Sequence, residues 1–230
     1  MGALSKERAT FVEAETRRAR PNRSTTPRLE LVPLTLDEFA LYLADGAALA
    51  EKIRLAEPPS EPDAETLAAL NWLFDEALAL DAASLCWATV WLPILRSENR
   101  AVGFACFKGP PRAFFDFLET APDFKNGVAN GTEGTRSGDA LTAVVEIGYG
   151  VDKAFRNRGL ATDLVGALVD WGRAREDVGA MLAETLTANL PSRRVLEKNG
   201  FRPFAESNDA VLWRVDVVGD GVAQSAKTTF

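Results

Sequence analysis

Residues 155–164 read FRNRGLATDL, with Arg156, Arg158 and Gly159 set at the head of an apolar helical pattern. The first turn of any helix leaves backbone N–H groups without partners and carries the positive end of the helix dipole. A Ser, Thr, Asp or Asn side chain usually caps those donors. Here two guanidinium groups and a glycine stand in that place. Guanidinium groups make charge-assisted bonds to phosphate oxygens, and Gly159 lets a ligand approach the backbone closely. The chemistry these residues suggest is a cradle for a pyrophosphate-like anion. No G-x-x-x-x-G-K-[ST] loop is present, and no G-x-G-x-x-G follows a strand, so the two commonest phosphate motifs are excluded.

Two carboxylates are candidates for proton handling. Glu146 lies in TAVVEIGYGV (142–151) and Glu184 in AMLAETL (180–186), both strand-like and apolar. A carboxylate in such a setting is costly unless it has a partner or a purpose. Burial drives a glutamate from about 4.3 toward neutrality, which suits a base for an ammonium substrate. The competing reading is a solvated sheet face or an ion pair with an arginine. The chain has no histidine, which removes Ser-His-Asp and Cys-His catalysis and the common histidine zinc sites. Proton transfer falls to a carboxylate, Tyr, Cys, Lys or water. Cys86 and Cys106 sit in apolar runs and read as buried, reduced core residues.

These groups need a scaffold, and the pattern supplies one. LELVPL (29–34) alternates as a strand, and Thr35 can cap a helix through about Asp45. A second helix is expected from about Asp63 to Leu80. LCWATVWLPILR (85–96) and AVGFACFK (101–108) read as strands joined at SENR (97–100). Residues 109–139 break the pattern as a long loop holding Phe114, Phe115, Phe117 and Phe124, which either pack over the core or line a cleft. Strands follow at 142–151, 180–186 and 210–217. Ala161, Leu164, Val165, Leu168 and Val169 form the core stripe of the helix after the opening motif. PSRRVLEKNGF forms another helix, with Gly200 suited to its left-handed cap.

With 230 residues, 47% of them hydrophobic, the chain suits one large domain with tails. A net charge of −7 argues against a general nucleic-acid binder. Lys6, Arg8, Arg17, Arg18, Arg20, Arg23 and Arg28 instead mark residues 1–27 and their border as a flexible basic arm. Residues 28–217 form the domain and 218–230 a C-terminal tail. No apolar run is long enough to cross a bilayer, and the first residues lack a signal-peptide centre. The expectation is a cytoplasmic protein without membrane or metal, as a monomer or homodimer.

Arg156, Gly159 and Ala161 match all three fixed positions of Arg/Gln-x-x-Gly-x-Gly/Ala. The segment thereby resembles the acyl-CoA-binding loop of the GNAT superfamily of N-acetyltransferases. VEIGYGVDKAFRNRGLAT looks like that family's central strand and loop. ETLTANLPSRRVLEKNGF looks like its later segment, and LELVPLTLDEFALYL like the opening of the branch that includes ribosomal-protein N-terminal acetyltransferases. The resemblance implies an α/β (α+β) GNAT-like fold. Its sheet is twisted, mixed and mostly antiparallel, of six to seven strands, with helices on both faces and a splayed acyl-CoA cleft.

The resemblance also implies roles. Arg156, Asn157, Arg158, Gly159, Leu160, Ala161 and Thr162 would hold the pyrophosphate of acetyl-CoA. Tyr149, Gly150 and Val151 would pair with its pantetheine arm, and Asn189 and Ser192 would face that arm across the cleft. Glu146 or Glu184 would serve as base. Many members carry a tyrosine acid four residues before the Gly-Phe pair; here that position is Leu196, so Ser192, water or Tyr149 is left to protonate the thiolate. The implied reaction is acetyl transfer to a primary amine, on a small molecule or a protein N-terminus, by direct attack in a ternary complex. The alternative is a GNAT-like module that senses acyl-CoA without catalysis.

Overall fold

Thr35 ends the first long strand and starts the first helix through a capping box: its side chain accepts from the Glu38 N–H, and the Glu38 carboxylate accepts from the Thr35 N–H. The computed structural model describes residues 23–121, 124 and 143–217. In chain order the elements are β1 (Ser24–Thr25), β2 (Leu29–Pro33), α1 (Leu36–Ala44), α2 (Gly46–Ile53), α3 (Ala64–Ala77), β3 (Val90–Leu95), β4 (Arg100–Ala101) and β5 (Gly103–Phe107). They continue with β6 (Arg112–Ala113), α4 (Phe114–Thr120), β7 (Ala143–Val151), α5 (Leu160–Arg173), β8 (Ala180–Leu186), α6 (Leu190–Lys198), β9 (Arg202–Glu206) and β10 (Ala210–Asp216).

One mixed sheet runs β1-β2-β3-β5-β7-β8-β10-β9, with β4 on β3 and β6 on β7. Every pairing is antiparallel except β7 with β8. The fold class is therefore the expected one. Ten described strands exceed the six to seven expected because β1, β4 and β6, at two residues each, are too short for alternation to show, and β9 (Arg202–Glu206, RPFAE) carries no apolar alternation.

Alternation of side chains splits the core between the two sheet faces. On one face, α5 and α6 cover Trp91, Phe107, Val145, Ile147, Met181, Ala183 and Trp213 through Leu160, Leu164, Val165, Leu168 and Leu196. On the other, α1–α3 bury Val32, Val90, Leu92 and Ile94, while α4 covers Val144, Leu182 and Leu212 with Phe114, Phe117 and Leu118. No described helix is long and apolar enough to cross a membrane. Cys86 and Cys106 are buried and unbridged.

Four local expectations need correction. The sheet starts before residue 28: Ser24–Thr25 pairs with β2, Arg23 meets Glu30 at 2.7 Å, and the Ser24 hydroxyl donates to the Ala167 carbonyl at 2.8 Å. Residues 1–22 and 218–230 lie outside the described residues. An unexpected helix, α2, follows α1 at once, with Asp45 capping it through the Ala48 N–H. Leu85–Trp87 is a 3-10 turn, so the strand expected from 85 begins at Val90. Within 109–139, residues 112–120 are ordered into β6 and α4, while 122–123 and 125–139 lie outside the described residues.

Candidate functional site

β7 and β8 are partners for only part of their length. Their parallel register runs from Val144↔Ala180 to Ile147↔Ala183 and stops there, although β7 continues to Val151 and β8 to Leu186. Beyond that point β7 pairs only with β5, and β8 only with β10. The Lys108 N–H donates to the Glu146 carbonyl at 2.9 Å and the Asp152 N–H to the Val102 carbonyl at 3.0 Å. By alternation, residues 146, 148 and 150 therefore bond toward β5. The N–H and C=O of Tyr149 and the N–H of Val151 are left along the opened edge, while the Val151 carbonyl accepts from Arg156 Nε at 3.1 Å.

A cavity of about 740 Å³ occupies the α5–α6 side of this opening. Every cofactor-side residue expected from the sequence lines it except Arg158. Gly159 is the N-cap of α5, in the left-handed conformation at φ +74°, and offers no capping side chain. The first N–H groups of α5 thus end at the cavity wall. Asn157, at φ +60°, turns the loop ahead of them. Arg158 is directed elsewhere: its guanidinium bonds Glu98 at 3.2 Å and lies 5.3 Å from the Phe155 ring centroid.

The far wall is α6. Asn189 caps it by accepting the Ser192 N–H at 3.2 Å, and Pro191, Arg194, Val195 and Lys198 turn one helical face to the cavity. Asn199 ties the two walls together, donating to Thr162 O at 3.2 Å and Val195 O at 2.9 Å. Tyr149 reaches across to donate to the Ser192 carbonyl at 3.2 Å; burial first of all pushes its phenol up to about 12, against the opposing effect of that contact. Among the described residues this cavity is lined by Arg156, Arg194 and Lys198 and by no carboxylate. Arg194 and Lys198 were missed in the sequence, although the i, i+3, i+4, i+7 spacing of Pro191, Arg194, Val195 and Lys198 marks a common helix face.

Arg28 was missed as well. Its Nε bonds Asp163 Oδ2 at 2.7 Å, its Nη1 donates to the Arg158 carbonyl at 2.7 Å, and its Nη2 lies 3.2 Å from where a Cβ on Gly159 would stand. The β1–β2 hairpin thereby holds the anion loop from outside the cavity.

Glu146 lies on the opposite face of the sheet. A smaller cavity of about 190 Å³ there is lined by Lys108, Glu146 and Glu184 together with Phe117, Phe124 and Ser207. Glu146, with a side chain 13% exposed, is ion-paired to Lys108. Glu184 is exposed at the end of β8. Both readings of the phenylalanines hold in part. Phe114, Phe117 and Phe124 are buried in the core under α4, Phe117 and Phe124 also line this cavity, and Phe115 points outward at 59% exposure. Burial pushes the nearby Cys106 thiol up to about 11, which keeps it protonated and unreactive. Leu196 is fully buried in the core.

A family model described as an acetyltransferase (GNAT) domain matches residues 28–202. The chain is similar to the uncharacterized N-acetyltransferase YjdG of Bacillus subtilis, at 30% identity over 107 residues. That match covers 37% of this chain and 64% of the relative, less than two thirds of its length. Among solved structures, a GNAT-family acetyltransferase from Bacillus anthracis superposes at a TM-score of 0.47 with 17% identity, covering 85% of this chain and 98% of the other. RimL, a ribosomal L7/L12 alpha-N-protein acetyltransferase solved with coenzyme A, gives a TM-score of 0.45 and 14% identity, covering 83% and 95%.

Proposed function

From its membership of the GNAT acetyltransferase family, we propose that this chain transfers an acetyl group from acetyl-CoA to a primary amine, by direct attack within a ternary complex. The observation that supports this most is the lining of the larger cavity: three cations and no carboxylate among the described residues, in a chain with a net charge of −7. Such a concentration of positive charge suits the phosphates of acetyl-CoA, which is a substrate here.

The N–H groups of Leu160, Ala161 and Thr162 bind pyrophosphate oxygens at the positive end of α5. Arg156 adds charge from the loop, and Arg194 and Lys198 from α6. The opened edge of β7 receives the amides of the pantetheine arm as it would a neighbouring strand. That path ends where β7 and β8 part, beside the face that carries Glu146. A backbone N–H at the parting stabilises the oxyanion that forms as the amine attacks the thioester. Glu146 takes the proton from the incoming ammonium, and Glu184 is the second carboxylate of the cavity. With Leu196 committed to the core, Ser192, water or Tyr149 returns a proton to the thiolate. The acceptor is a small-molecule amine or a protein N-terminus.

Purified protein incubated with acetyl-CoA and a panel of amines and N-terminal peptides tests the reading through thiol release. A wild-type chain that binds coenzyme A and releases no thiol with any acceptor would be a sensor, and the proposal would fall.

The Arg28 brace yields a second expected result. Arg28→Met removes one hydrogen bond to the Arg158 carbonyl and one to the Asp163 carboxylate in the first turn of α5, each worth about 1 kcal/mol or less at this exposure. The dissociation constant for coenzyme A should rise about three- to tenfold, with Arg28→Lys intermediate. Isothermal titration reads it directly, and an unchanged constant would show that the loop holds its shape unaided.

A further inference from the structure

Lys108 follows the last residue of β5, directly opposite Glu146 in the antiparallel register, and its N–H donates to the Glu146 carbonyl. Its ammonium bonds Glu146 Oε1, and Glu184 lines the same small cavity from β8. α4 contributes Phe117 and Thr120 to that cavity, and the β9–β10 turn contributes Ser207. Among the described residues, Cys106, Glu146 and Glu184 are the titratable groups that bear on the ammonium. Burial alone would lower its pKa, but Glu146 above all, with Glu184 beyond it, outweighs burial and raises it. Lys108 therefore stays charged. Among the described residues, the charged groups of the cavity lining are these two carboxylates and this one ammonium.

We propose that Lys108 is a positioning residue of the acceptor site: it ties down one oxygen of Glu146, so that an incoming ammonium delivers its proton to the other oxygen. This rests on the proposed acetyl transfer to an amine. The proton balance is simple. R–NH3+ and Glu146–COO− become R–NH2 and Glu146–COOH, while Lys108 keeps its own protons.

The test is kinetic and uses the full chain. In Lys108→Met kcat/KM for an amine should fall about tenfold or more, the cost of a misplaced catalytic group, with the KM for acetyl-CoA unchanged, and Lys108→Arg should restore most of it. Lys108→Gln, which keeps donors without charge, makes the same comparison if the Met variant fails to fold. A Lys108→Met enzyme with wild-type kcat/KM for the amine overturns the proposal, and so does a loss that Lys108→Arg does not repair. If wild-type protein acetylates no amine, the transfer reading itself has failed, which the wild-type assay alone shows.

Discussion

Gly159→Glu should abolish the rise in melting temperature that coenzyme A is expected to give the wild-type chain. A ligand that binds only the folded state stabilises it by about 2.7 kcal/mol at a hundred times its dissociation constant. For a domain of this size that is a shift of roughly 5–10 °C. Gly159 sits at φ +74°, where a side chain is strained, and an added Cβ would stand 3.2 Å from Arg28 Nη2. The larger effect is electrostatic. A carboxylate at the N-cap competes with pyrophosphate for the same N–H groups and repels it. Gly159→Ala separates the two causes, since it adds strain without charge and should keep part of the shift. Normal binding of coenzyme A by the Glu variant would show that the phosphates lie elsewhere.

The placement of Arg156 to Thr162 at the head of α5 was legible because its signals are local. Arg156, Gly159 and the apolar stripe of α5 fall within fifteen residues, and helix-terminus physics acts over one turn. Glu146 and Glu184 were legible as charges inside apolar strands. What they touch was not. Lys108 meets Glu146 through the β5–β7 register, which depends on the whole intervening segment, and Arg28 meets Asp163 across 135 positions. Arg158 shows the converse: its place in the motif suggested a phosphate contact, but Glu98 and the Phe155 ring hold its side chain away from the cavity. The edge strands β1, β4 and β6, at two residues each, carry no pattern to read. α2 was hidden by directness, since Asp45 ends one helix and caps the next without a loop between them.

Glu146→Gln should lower turnover on an amine substrate by roughly 10²–10⁴-fold, the usual range for loss of a general base. The substitution is nearly isosteric, and the Gln carbonyl can still accept from Lys108, so the cavity keeps its shape and loses mainly its proton acceptor. Affinity for acetyl-CoA should hardly change, because Glu146 lies on the opposite sheet face from the cavity with the cationic lining. Raising the pH should rescue the variant in part. More of the amine is then deprotonated in solution, and the missing base has less to do. Glu184→Gln is the control: its carboxylate is exposed at the end of β8 while Glu146 is 13% exposed, so the loss should be milder. Each substitution takes one negative charge from the cavity, so both should raise the KM for the amine, and only Glu146→Gln should cut kcat by orders of magnitude. Near wild-type turnover by Glu146→Gln at neutral pH would move the base to Glu184 or to a water chain.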